Sequence, residues 1–100
     1  MTKNYVYIMT CSSQSTLYRG VTSDIRKKLL DHQEGKYDGF TRKYNLHKLV
    51  YFEEYPEMHT AINREKQLKW WKRAWKDELI NSTNPEWLDL SDRVNQNEEL

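Results

Sequence analysis

One hundred residues suffice for one domain and not for two, and a chain of this size buries roughly 60–65% of its surface on folding. No apolar run approaches the roughly 20 residues that span a bilayer, and Met1-Thr2-Lys3-Asn4 leads straight into a strand rather than an apolar signal core, so a cytoplasmic protein is expected. The single Cys11 excludes an internal disulfide or thiolate metal centre and reads as inert, while the net charge of +1 hides an asymmetry: residues 1–80 hold 15 Lys/Arg against 10 Asp/Glu, and residues 81–100 hold Arg93 against five acids. A basic body suits a polyanion partner. The acidic end reads either as a solvated terminus or as a cover over the basic face.

Residues 4–10 alternate Tyr5, Tyr7 and Met9 against Val6, Ile8 and Thr10, with both sides largely apolar, which predicts a central strand packed on two faces. The polar stretch Cys11–Ser15 predicts a turn, and residues 16–22 return as the hairpin partner. Thr22 or Ser23 can cap a helix over about 24–34 that Gly35 would end. On it Ile25, Leu29 and His32 share a side at helical spacing, with Lys28 beside them and Arg26 nearly opposite. Tyr7 and Tyr18 on paired strands, followed by Gly20 and by this helix, can gather phenol, imidazole and positive charge around one phosphodiester.

The glycine-bearing polar segment 35–46 contains Phe40-Thr41-Arg42-Lys43-Tyr44, a short helical turn that suits either a phosphate-facing loop or plain surface. Residues 48–55 form a third strand ended by Pro56, and an amphipathic helix follows over about 58–71. Its apolar arc is Met58, Ala61, Ile62 and Leu68, and Glu65 falls in the middle of that arc. A carboxylate so placed requires a partner. It is either a salt bridge to a cation from a neighbouring helix or a metal ligand or acid. The run Lys69–Lys76 alternates cations with Trp70, Trp71 and Trp75 around the helix circumference. It reads either as a nucleic-acid platform or as tryptophans anchoring a terminal helix while the cations are solvated. Trp87 and Leu88 are expected to dock as a final brace, closing a domain over 1–90, with 91–100 a frayed, flexible acidic tail.

With these elements placed, the chain resembles the GIY-YIG nuclease superfamily over about residues 4–90, and more closely its small single-domain bacterial branch of excinuclease-like endonucleases. Tyr5-Val6-Tyr7 stands where that family has its first motif and Tyr18-Arg19-Gly20 where it has the second. Val21-Thr22-Ser23-Asp24, Gly39-Phe40-Thr41, Leu49-Val50-Tyr51-Phe52-Glu53 and Arg64-Glu65-Lys66-Gln67-Leu68 continue the likeness. The resemblance implies an α/β fold, a small three-stranded antiparallel sheet flanked by helices in β-β-α-β-α-α order. It implies hydrolysis of DNA phosphodiesters with one divalent cation, Mg²⁺ or Mn²⁺, held by Glu65, and the excinuclease likeness implies DNA repair. Carried over by position, Tyr7 or Tyr18 helps to activate or hold water, with Tyr18 nearer the nucleophile. His32 accepts or relays a proton, and Gly20 lets the backbone approach the phosphate.

One position departs from the family pattern. Arginine generally stands four residues before this histidine, and here the residue is Lys28. Lysine supplies charge without the planar bidentate clamp of arginine. Losing such a transition-state contact lowers a rate on the order of 10²–10³-fold. Arg26 lies two residues off and faces away, and Arg19, on the strand position next to Tyr18, points away from it. The leading expectation is therefore a metal-dependent DNA endonuclease weakened at Lys28. The alternative is a catalytically inactive nucleic-acid-binding domain in which Lys28, Arg42, Lys43, Lys69, Lys72 and Arg73 hold phosphate. A third reading is a protein-interaction module built on the Trp-rich helix. With one domain and few base-reading candidates, DNA structure rather than sequence is the expected target, and a homodimer or partner protein is left open.

Overall fold

A computed structural model describes residues 3–33 and 45–94. The predicted end of the first helix at Gly35 and the segment carrying Arg42 and Lys43 lie outside the described residues. The elements run β1 (Asn4–Thr10), β2 (Leu17–Thr22), α1 (Ile25–Gln33), β3 (Lys48–Tyr55), α2 (Met58–Trp70) and α3 (Arg73–Thr83). The sheet order is β2-β1-β3, antiparallel throughout, so β1 is the central strand and all seven of its residues are buried. This is the expected three-stranded α/β architecture.

Register divides the sheet into two faces, because side chains on paired residues share a side. Tyr5 pairs with Thr22, Tyr7 with Gly20 and Met9 with Tyr18. Their face carries one core of Tyr5, Tyr7, Met9, Ile25, Leu29, Leu49, Leu90 and Val94, flanked by Tyr18 and Phe52. The opposite face carries Val6 and Ile8 and packs on α2 and α3 through Ala61, Leu68 and Ile80.

Local chemistry fixes the element ends. Thr22 Oγ1 accepts the Asp24 N–H at 3.0 Å and Asp24 Oδ1 accepts the Lys27 N–H at 3.2 Å. The cap of α1 is thus Asp24, one or two residues beyond the expected Thr22 or Ser23. The helix expected over 58–71 ends at Trp70 because Trp71 and Lys72 both take extended backbone angles. The run Lys69–Lys76 therefore crosses a break and does not ring one helix. Trp71 packs against the core of Val6, Ala61 and Leu68, whereas Trp70 is 81% exposed.

The end of the described chain is packed rather than frayed. Asn84 Nδ2 donates to Val50 O at 3.0 Å and to Leu88 O at 2.9 Å, Asp89 Oδ1 accepts the Leu49 N–H at 3.3 Å, and the Leu90 N–H donates to Leu49 O at 2.7 Å. These bonds hold residues 84–90 along β3, and a helical turn at 91–94 then seats Val94, with Leu90, in the tyrosine core. A domain end at 90 is thus too early. Leu90 and Val94 recur at a helical interval that fits one buried stripe. Trp87 docks as expected, its Nε1–H donating to Asn81 Oδ1 at 2.6 Å, but Leu88 is exposed.

Candidate active site

Three of the residues singled out from sequence meet on one face of the sheet. The Tyr7 and Tyr18 ring centroids lie 6.4 Å apart, Tyr7 and His32 6.1 Å, and Tyr18 and His32 5.5 Å, all at tilted or edge-on angles. Each element contributes for a stated reason. β1 and β2 present Tyr7 and Tyr18 on the same side by register, and α1 places His32 on the face that Ile25 and Leu29 press into the core.

The strand register sets Gly20 opposite Tyr7. A Cβ there would lie 2.5 Å from Tyr7 Oη and 2.6 Å from Tyr7 Cζ, far inside contact distance. The Tyr7 phenol therefore lies across the glycine, and the space left by the missing side chain is taken by a ring of the protein itself. Tyr7 is only 3% exposed, whereas Tyr18, on the edge strand, is half-buried.

Burial pushes the His32 imidazole below its ordinary proton affinity, the Lys28 charge pushes it further, and Asp31 opposes both. At neutral pH the ring is uncharged and can accept a proton. Lys28 is half-buried beside it while Arg26 and Lys27 are exposed, which agrees with the helical spacing.

Glu65 is not in this cluster. It sits on α2 between the buried Ala61 and Leu68, which pack on the other face of the sheet, and its Oε1 lies 3.3 Å from Arg19 Nε. The partner is a strand residue, where sequence reasoning expected a helix cation or no local partner at all. The signal for it was available. Arg19 alternates with Tyr18, so it reaches the side toward which the apolar arc of α2 turns. Glu65 suits a hard divalent cation in kind. It is an oxygen donor with 21% of its side chain exposed, and Mg²⁺ is commonly held by one or two carboxylates together with waters and substrate phosphate. Among the described residues no group of three His, Cys, Asp or Glu side chains could hold a metal.

The basic run Lys69–Arg73 lies at the α2–α3 junction, on the side of Trp71 and away from the tyrosines. Lys69 stacks on Trp70 at 5.7 Å and Lys72 on Trp75 at 5.8 Å. Arg73 is exposed and also engaged within the fold. It donates to Asp77 Oδ1 at 2.7 Å, Ser15 O at 3.1 Å and Gln14 O at 2.6 Å, and so clamps the β1–β2 turn onto α3.

Comparison with known proteins agrees with this architecture. Residues 3–78 match the model of the GIY-YIG catalytic domain. A UPF0213 protein of Syntrophus aciditrophicus (strain SB) is 44% identical over 87 residues, spanning 86% of this chain and 98% of that protein. A second, from Haloquadratum walsbyi, is 36% identical over 76% of this chain and 84% of its own. The solution NMR structure of a UPF0213 protein from Bacillus halodurans superposes with a TM-score of 0.56 at 26% identity, over 87% of this chain and 92% of that one.

Proposed function

Because this chain belongs to the GIY-YIG catalytic-domain family, whose membership points to nuclease activity on DNA, we propose that it is a DNA endonuclease that hydrolyses phosphodiester bonds at Tyr18. The observation that carries the reading is the cluster of two phenols and a neutral imidazole on one sheet face beside Lys28.

Tyr18, the more exposed phenol, holds and orients the attacking water. Tyr7 is too deeply buried to touch substrate and acts as a positioning residue, its ring filling the space over Gly20 and backing Tyr18. His32, held neutral, takes up the proton that leaves the water. Lys28 supplies positive charge to the phosphoryl group as a point charge rather than a fork, which predicts a slow enzyme. GIY-YIG nucleases generally use a divalent metal; Mg²⁺ or Mn²⁺ is the cofactor of this reading, and Glu65, across the β2 edge strand from Tyr18, would be the carboxylate to hold it where the DNA backbone passes that edge, supplying charge neutralisation there. The substrate is DNA recognised by structure, as in repair.

The test is cleavage of branched, nicked and single-stranded DNA with Mg²⁺ or Mn²⁺ by the native chain and by Tyr18→Phe, Lys28→Arg and Glu65→Ala. Native protein should cut slowly, and Tyr18→Phe and Glu65→Ala should each lose on the order of 10²-fold or more. Lys28→Arg should cut faster. If none cuts any substrate and all bind DNA equally in chelator, the chain is a non-catalytic binder on this scaffold, the reading that lysine at this position favours.

A further inference from the structure

Glu65 lies between Ala61 and Leu68, both with no exposed surface, where a lone carboxylate requires compensation. Arg19 supplies it at 3.3 Å, with the two side chains only 27% and 21% exposed. The Arg19 Nε atom is buried and has no hydrogen-bond acceptor among the described residues, so charge rather than hydrogen-bond geometry joins the pair. A second cation stands close behind. Burial, then the charges of Arg19 and Arg73, make Lys76 hold its proton less firmly than usual.

Glu65 is therefore paired with one cation, Arg19, which itself feels further positive charge from Lys76. Arg73 has its own carboxylate in Asp77 at 2.7 Å, and no three-residue acidic or imidazole cluster among the described residues could offset the charge of an incoming metal ion. A divalent cation and a guanidinium compete for one carboxylate, and two like charges at that spacing repel strongly where water is partly excluded. A DNA phosphate offers the guanidinium a second anion, and one whose oxygens match its planar fork.

We propose that the Arg19 guanidinium occupies the cation position on Glu65 and keeps the free protein from loading a divalent metal there, so that metal uptake follows the arrival of a DNA phosphate that draws Arg19 away. This rests on the reading of Glu65 as the metal ligand. It makes Arg19 a positioning residue that orders the binding of cofactor and substrate.

The experiment titrates Mn²⁺ into the full chain without DNA and follows the electron paramagnetic resonance of the free aqueous ion. It compares native protein, Arg19→Gln, Arg19→Lys, Glu65→Gln and the double variant Arg19→Gln/Glu65→Gln, with circular dichroism as the check on folding. Arg19→Gln should bind Mn²⁺ roughly tenfold or more tightly than native, as expected when a neighbouring unit charge is removed. Arg19→Lys should stay near native, and the double variant should lose the gain. Equal affinity of native and Arg19→Gln, with binding still abolished by Glu65→Gln, would overturn the role of Arg19 and leave Glu65 as ligand. If the double variant binds as tightly as Arg19→Gln, Glu65 is no ligand and both readings fall.

A second measurement needs no change at Arg19. Adding an uncleaved phosphorothioate oligonucleotide to the native chain should tighten Mn²⁺ uptake roughly tenfold beyond that seen with the same oligonucleotide and Glu65→Gln. No such increase sinks the proposal.

Discussion

His32 is 6% exposed, and at that depth its charge state is set by the protein rather than by solvent. Burial first and Lys28 second lower its proton affinity, so the unfolded chain binds this proton more readily than the folded one. By linkage the neutral ring contributes stability that is fully present above the ordinary value of about 6.5 and is lost as pH falls toward the lower folded value. Urea melts between pH 7.5 and 5 should show native protein losing stability below about pH 6.5, and His32→Asn should flatten that slope. A slope unchanged by the substitution would mean that another group carries it, and the assignment of a neutral base would fall with it. The neighbourhood of His32 was legible in the sequence, since four-residue spacing on α1 set Lys28 beside it and Arg26 in solvent. The part that Gly20 plays was not. A glycine after Tyr18 fits close approach of a ligand or of another side chain, and it is the strand register that brings Tyr7 against it.

At the scale of elements, β3 and α2 are joined by a polar brace. The Glu53 carboxylate accepts hydrogen bonds from Tyr51 Oη, from Tyr55 Oη at 2.6 Å and from Arg64 Nε at 3.0 Å. Arg64 also donates to Gln67 at 2.6 Å and stacks on Trp71 at 5.0 Å, so one side chain ties the strand, the helix and the helix break together. Burial alone would raise the proton affinity of Glu53, but the bonds from Arg64, Tyr51 and Tyr55 outweigh it and hold the carboxyl below its ordinary range. The brace therefore contributes stability above the ordinary carboxylate range and loses it on acidification. Glu53→Gln should cost about 1–3 kcal/mol in urea melts at pH 7, because it leaves Arg64 unmatched, and the gap between native and variant should narrow as pH falls below the ordinary carboxylate range. A gap that is constant with pH would mean that shape rather than charge holds the brace. The strands and their order were readable from alternation and from Pro56, yet the end of α2 was not. Helical periodicity runs through Trp70 and Trp71 without interruption, whereas in the fold Trp71 takes an extended backbone and packs against the core of Val6, Ala61 and Leu68.

For the whole molecule, the charge that faces DNA differs from what a division at residue 80 suggests. Glu86, Asp89, Asp92 and Arg93 lie in the packed stretch that includes Leu90 and Val94, and the sequence through residue 94 carries 16 Lys/Arg against 13 Asp/Glu. A body of +3 has little long-range attraction for a polyanion. Arg73 is held by the β1–β2 turn, so of the phosphate-contacting candidates named from the sequence, those that remain among the described residues are Lys28, Lys69 and Lys72. Three contacts on single-stranded DNA release about two counterions, so log Kd should rise with log salt at a slope of about 2, and with duplex DNA at a slope nearer 3. Fluorescence anisotropy in chelator, from 50 to 300 mM KCl, measures this without cleavage. Lys28→Gln should lower the slope by about one on either substrate, since one phosphate contact is removed. A slope above about 5 would require more cations than these three provide, and would put the interface on Arg42, Lys43 and the rest of the segment between α1 and β3.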